Sequence, residues 1–549
     1  MWLALVTVAL AIDVVVTEDP RRDRWEVEWA HDEPVRGFVF ARNRNPVQEG
    51  WKAGKGRIEP RGDRLAWLAP KGARVTSFSV RFDTDTSWKA KDYELNVAFG
   101  DGARLLYTDH LFVLPLVCPE GGECTDAELV AGEGEVHHYE VHTTPGRFVL
   151  TPDGRTEAVG RWSQRGSGVY LYLGSGEPLP EERVNFLIDP TTPAWVADRS
   201  REWIGPLFDH FEAQTGRSLS FTPTILLSYQ GGEPGQGYGG GGLPGQMQLQ
   251  LTGQAFEAST PELERTYAHF LAHETFHMWN GEELSTDIDG SEEWLSEGSA
   301  ELFASWATEE LGVASDEEVR AEVISYATQC ASQLRGPLLR AHRQGNYRAF
   351  YTCGAAALYQ VHLSLEAQGG LPAVFRDVFA DGDRYSTYDL LEVVHRRTRD
   401  PLTTAFLERL LRSGLGADPV SAWATALGEA GLATRVVDAW EADALDERGL
   451  HNALVQTVGD CDCGGSMSVW NHGDRLLFDA LEQCDALGEG LEVTEVAGVA
   501  VSPRREALRQ VWAAIDAGEG FELAGPDGRV TVSCAEGVAR PRALEASAD

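Results

Sequence analysis

A chain of 549 residues exceeds what one hydrophobic core serves, and an apolar fraction of 43% is ordinary for a folded chain, so two to four domains are expected and large-scale disorder is excluded. Acidic residues number 85 against 47 basic ones, giving a formal charge of -38. Such an excess repels phosphate backbones and anionic lipid; nucleic acid is excluded as a partner, and the acidity reads as a device for solubility.

The chain opens on MWLALVTVALAID, an apolar run ending in Ala9-Leu10-Ala11. The small-x-small ending predicts a signal peptide over residues 1–11 and a secreted or periplasmic protein; the run is short and lacks a basic start, so a first β-strand is the alternative. No later stretch has the ~18 uncharged apolar residues that span a bilayer, so no integral membrane segment is expected in the mature chain. Eight cysteines, an even number, point to disulfides. Cys118 and Cys124 bracket a tight loop, Cys330 and Cys353 form a plausible pair, and Cys461, Cys463, Cys484 and Cys534 cluster with their pairings open. A zinc knuckle among the last four is disfavoured, because CDC is not a C-x-x-C and no histidine pair accompanies it.

Residues 12–189 hold short β-type runs (WEVEW, VTSFSVRF, VYLYL, VNFLI) between Gly, Pro and Asp turns, which predicts a β-rich N-terminal domain. A second domain, 190–431, starts with AWVADRSREWIGPLFDHFEAQTG, a helix ending at a glycine, followed by the alternating SLSFTPTILLSY, a Gly-rich stretch and QMQLQL. From Ser259 the pattern is helical: Ser259 and Glu262 read as a capping box opening a helix that runs to Gly281, another helix spans about Glu292 to Gly312, and a third starts at Ser315. Residues 432–549 return to short strands with one helix in cysteine-bearing sequence. The fold class is therefore multidomain α+β: a β-rich front, a mainly helical middle and a small α/β C-terminal domain.

The first long helix carries His273-Glu274-Thr275-Phe276-His277. Histidines at i and i+4 share one helical face, so both imidazoles reach one ion, while Glu274 leans to its open side. Two nitrogens and a carboxylate around an open position suit zinc. Nineteen residues separate His277 from Glu297 in WLSEGSAEL, and an antiparallel helix pair returns that carboxylate to the histidines. Glu301, one turn further, is placed to fix a histidine tautomer; its alternative is a solvated helix face.

HETFHMWNG followed by WLSEGSAELFA resembles the gluzincin zinc peptidases, and most of all the glycyl aminopeptidase-like family, with the neutral and leukotriene-hydrolase-type aminopeptidases next. The resemblance is strong only across residues 260–310. It implies a thermolysin-like domain over 190–431 and a tail that is PDZ-like or simply disulfide-stapled. FYTCGAAALYQVHL is similar to the family's Y-x-K-G helix start, which implies that Tyr351 stabilises the oxyanion; Cys353 stands where the family has lysine, and Tyr347 is the nearby competitor. Gly241, Gly242 and Leu243 match the family's substrate-lining edge strand, which can hold a peptide through its backbone. Pro244 replaces the glutamate that seats a free amino terminus; the acidic run with Glu282, Glu283, Asp287 and Asp289 reads as a solvated loop, its alternative being a compensating acidic seat. Endopeptidase or relaxed action is thus expected over strict aminopeptidase action on a peptide or protein substrate.

The expected chemistry is hydrolysis by zinc-activated water with Glu274 as general base. The rivals are an idle peptide-binding protein on the same scaffold, for which Glu274 has no use, and a zinc hydrolase of non-peptide substrates.

Overall fold

The computed structural model describes residues 11–549 except 20, 44–47, 49, 72, 85–92, 117–135, 166–167, 233–234, 287–290, 381, 399–400, 464–467, 472–473, 480–483, 527, 535–537 and 548–549. Residues 1–10 of the proposed signal segment, the Cys118/Cys124 pair, Asp287 and Asp289 thus lie outside the described residues. The chain forms two compact units, residues 1–201 with 221–258, and residues 202–220 with 259–549.

Alternation builds the first unit. Along Ala11–Asp19 every second residue is inward, with Ile12, Val14 and Val16 fully buried. That strand pairs in parallel with Val136–His142 and antiparallel with Arg24–Val35 inside a six-stranded sheet. Trp25, Trp29, Phe38, Trp67 and Phe78 join the same core, with Trp29 stacked on Phe78 at 4.7 Å between ring centroids.

A further sheet of this unit runs in the order Leu179–Pro180, Asn185–Ile188, Thr224–Gln230, Gln246–Thr252, Gly237–Leu243. Its three central strands are parallel, and helix α1 (Ala194–Thr215) supplies the crossover between Asn185–Ile188 and Thr224–Gln230. The Gly-rich strand pairs antiparallel with Gln246–Thr252 and forms the sheet's edge. Leu243 is only 4% exposed, packed with Leu187, Leu226 and Tyr170, and the Tyr93 hydroxyl donates to the Gly242 carbonyl at 3.0 Å. The Leu243 side chain is therefore a core residue, and recognition on this strand is left to the backbone.

The second unit is helical where its polar residues converge. Helices α2 (Pro261–His277), α3 (Glu293–Glu310), α4 (Asp316–Gln333) and α5 (Arg348–Ser364) pack together. Helix α2 is capped by Thr260, which accepts from Leu263 N at 3.2 Å, and not by Ser259, whose hydroxyl instead binds Glu264. Pro261 sets this: its fixed φ and missing N–H suit the first helical position, so the cap is the residue before it. The α-helix also stops at His277 rather than Gly281, widening into a π-type turn over Met278–Glu283. Helix α4 starts at Ser315 with a full capping box to Glu318.

Two glycines let α3 and α5 touch. A Cβ built on Gly354 would lie 2.7 Å from Gly298 Cα, and one on Gly298 would lie 2.9 Å from Ala355 N. Because the obstructing atoms are backbone, Gly298→Ala is expected to destabilise the protein by roughly 1–3 kcal/mol through overpacking; urea unfolding of parent and variant measures it. The Cys330–Cys353 disulfide then ties α4 to α5, as the sequence pairing suggests.

The C-terminal part has its own core, including Leu454, Phe478, Leu508 and Trp512, and is stapled by Cys461–Cys534 and Cys463–Cys484. Cys463 and Cys484 are thereby removed as metal ligands. Two helices, Glu447–Asp462 and Arg504–Asp516, replace the single expected one. Asp446 caps the first at 2.7 Å, and Leu450, Leu454 and Val458 bury one of its faces. Strand Arg542–Ala546 returns to α4, where Leu544 N donates to Thr328 Oγ1 at 2.9 Å.

Candidate metal centre

One turn of α2 carries His273 and His277 on the face turned to α3. Their Nε2 atoms lie 3.2 Å apart, and Glu297 Oε2 from α3 is 3.3 Å from the first and 3.5 Å from the second. The structure thus brings together all three residues proposed as ligands from sequence, with donor atoms within 4.8 Å of one another.

Each imidazole is oriented from behind. Glu301 Oε2 lies 3.2 Å from His273 Nδ1, within ion-pair distance though off the hydrogen-bond line. His277 Nδ1 faces Asn280 Oδ1 at 2.9 Å. Asn280 is fully buried in the π-type turn, and its amide nitrogen donates to Ser296 O at 2.8 Å and Ser299 Oγ at 2.9 Å. With its two N–H groups committed, Asn280 presents only an acceptor, which places the His277 proton on Nδ1 and leaves Nε2 free to ligate. Sequence reading gave Asn280 no role; its signal was its place three residues after His277, on the turn that follows.

The electrostatics favour a cation. Burial raises the Glu274 carboxyl, which is 8% exposed. Burial also works against charge on Glu301, but His269, His273 and Tyr326 overcome it and hold that carboxyl down to about 2. At Glu297 the same contest is won by His277 and His273, which hold it well below the usual range. Burial is outweighed by the same carboxylates, which raise both imidazoles above their ordinary value, so this buried cluster draws positive charge, which a dication supplies in place of protons. The donor set of two imidazole nitrogens and one carboxylate oxygen therefore fits zinc.

Tyr351 stacks on His273 with 5.6 Å between ring centroids, and burial together with Glu297 and Glu274 pushes its phenol far above its ordinary value. Tyr347, its competitor, is 56% exposed. The acidic run differs from its reading as a solvated loop: Glu283 pairs with Arg217 at 3.1 Å and Ser220 Oγ at 2.7 Å, while Glu282 is half-buried near His277 and pushed up to about 7 by burial. Gly241, Gly242 and Leu243 belong to the first unit and the metal-ligating candidates to the second.

No family model matches the chain, and no curated protein does. Among solved structures it is similar to an aminopeptidase N family protein from Idiomarina loihiensis, with a TM-score of 0.64, 13% identity and 98% of each chain covered. It also matches yeast leukotriene A4 hydrolase (TM-score 0.47, 11% identity, 74% of this chain and 68% of that one). An M1 zinc metallopeptidase from Deinococcus radiodurans follows (TM-score 0.43, 16% identity, 75% and 95%). At these identities the likeness is one of fold, carried by the first: from end to end, the chain has the multidomain α+β fold of the aminopeptidase N family protein.

Proposed function

We propose that this chain is a zinc-dependent peptidase of the gluzincin type, nearest the glycyl aminopeptidase-like group, with His273, His277 and Glu297 as ligands. The observation that carries the reading is the convergence of two Nε2 atoms and Glu297 Oε2 within 4.8 Å, with buried Glu274 next to His273 in the chain. The end-to-end fold likeness to an aminopeptidase N family protein supports it. An idle peptide-binding scaffold has no use for a buried carboxyl at Glu274.

His273, His277 and Glu297 would hold the zinc, which would supply Lewis-acid polarisation of the scissile carbonyl and acidify a water molecule. Glu274, its carboxyl raised by burial, takes the proton from the attacking water and passes it to the departing amine nitrogen. Tyr351, still protonated at any working pH, donates its hydroxyl hydrogen to the oxygen that gains charge. Tyr351→Phe is accordingly expected to lower kcat about a hundredfold with little change in KM; steady-state kinetics beside Tyr347→Phe, which should stay within twofold, checks the assignment.

Two features bear on where the enzyme cuts. Pro244 in place of an acidic residue favours an end of the cleft that accepts longer or N-blocked peptides. Glu282 favours a seat for a free amino terminus, since a half-buried carboxyl near His277 offers an ammonium group a partner without the full cost of desolvating it alone. Hydrolysis of one short peptide, free and N-acetylated, tests both: comparable rates support endopeptidase or relaxed action, and a hundredfold preference for the free amine, about 2.7 kcal/mol, supports an acidic seat. Hydrolysis of neither, with ester or epoxide turnover instead, would overturn the peptidase reading.

Among the described residues, three disulfides support export to an oxidising compartment, and no helix is long and apolar enough to cross a membrane. The tail is read as a disulfide-stapled α/β module, with PDZ-like peptide binding as its candidate role.

A further inference from the structure

We propose that His269 and Tyr326 are positioning residues for the metal centre, fixing the Glu301 carboxylate, and through it the His273 ring, without touching the metal or the substrate. The inference rests on the zinc reading above and extends it one layer outward.

His269 lies one turn before His273 on α2, so the two rings share a helical face. Its Nε2 is 3.4 Å from Ser305 Oγ of α3 and 3.4 Å from Tyr326 Oη of α4. Ser305 Oγ and Tyr326 Oη are themselves 3.5 Å apart. Three helices thus meet at one polar knot, directly behind the carboxylate facing His273. Ser305 donates its hydrogen to the Glu301 carbonyl at 3.1 Å, so its oxygen is left as an acceptor for His269. Tyr326, 6% exposed, lies within hydrogen-bond reach of both the Glu301 carboxylate and Glu322 Oε1, the latter at 3.1 Å, with one hydrogen to give to either. Glu322 is in turn paired with Arg265 at 3.5 Å, and Arg265 with Glu318 at 3.1 Å.

This arrangement has a purpose that packing alone does not supply. Glu301 is a flexible side chain whose carboxylate stands off the hydrogen-bond line of His273 Nδ1. To hold the ring on a metal it must be kept from rotating away, and the only way to do that from behind is to occupy its remaining lone pairs with fixed donors. The phenol of Tyr326 does this from a rigid helix, and His269, donating from Nε2 to the phenol oxygen at 3.4 Å, turns the phenol hydrogen toward the carboxylates.

Tyr326→Phe keeps the ring and its packing and removes only the hydroxyl. Metal-free parent and variant, titrated with zinc against a competing chelator, should differ by about 10–100-fold in zinc affinity. His269→Gln should show a loss of the same order. In both, KM should be unchanged, kcat should recover at saturating zinc, and the melting temperature of the metal-free protein should match the parent's. Zinc affinity within threefold of the parent in both variants would overturn the proposal. So would weakened zinc binding that tracks a lowered metal-free melting temperature, since that is what a purely structural role produces. A parent that takes up no zinc at all overturns the peptidase reading, and a parent that binds zinc normally beside unaltered variants overturns only this one.

Discussion

Glu274→Gln is expected to lower kcat about a thousandfold, roughly 4 kcal/mol of transition-state stabilisation, while zinc content stays at that of the parent. The substitution is nearly isosteric, so the packing around this buried position is retained. What disappears is the only group in the HETFH run that can accept a proton from water without ligating. Retention of more than a tenth of the parent's kcat, by a variant with full zinc content, would mean another group takes that proton.

His277→Ala is expected to abolish stable zinc binding. Loss of a hydrogen-bond partner behind a ligand typically lowers metal affinity by about 10–100-fold, and removal of one of three ligands exceeds that. The variant also strands Asn280 Oδ1, held facing the missing ring by its bonds to Ser296 and Ser299, and removes the imidazole that helps hold Glu297 in its charged form. Elemental analysis after exhaustive dialysis measures the effect; full zinc content in His277→Ala would show that the ion is held elsewhere.

The parts of the site legible in the sequence are those fixed by helical spacing. His273, Glu274 and His277 follow from the i, i+4 geometry of one helix, and Glu297 and Glu301 from the return of the next. The glycines of WLSEG and YTCG were seen as motif letters; only the structure shows that Gly298 and Gly354 are where α3 and α5 make backbone contact, which sets Glu297 and Tyr351 near each other. Asn280, His269 and Tyr326 were not assigned, because their roles depend on a π-type turn and on three helices meeting, neither of which a periodicity encodes. Capping was misplaced by one residue where Pro261 overrode a Ser-x-x-Glu match. The helix Glu447–Asp462 carries Gly449 and Gly459, which weaken its apolar stripe as a signal; in the folded chain Leu450 and Leu454 are buried in a disulfide-bearing core. The acidic run after His277 reads as a solvated loop; Arg217, distant in sequence, is what draws Glu283 in.

The most direct test is a zinc titration of the metal-free protein with peptide hydrolysis as the readout. Turnover should be absent without metal, rise in proportion to added zinc, and level off at one equivalent per chain. Peptide hydrolysis that persists in the metal-free protein, or zinc uptake that restores none, would contradict a zinc-dependent peptidase centred on His273, His277 and Glu297.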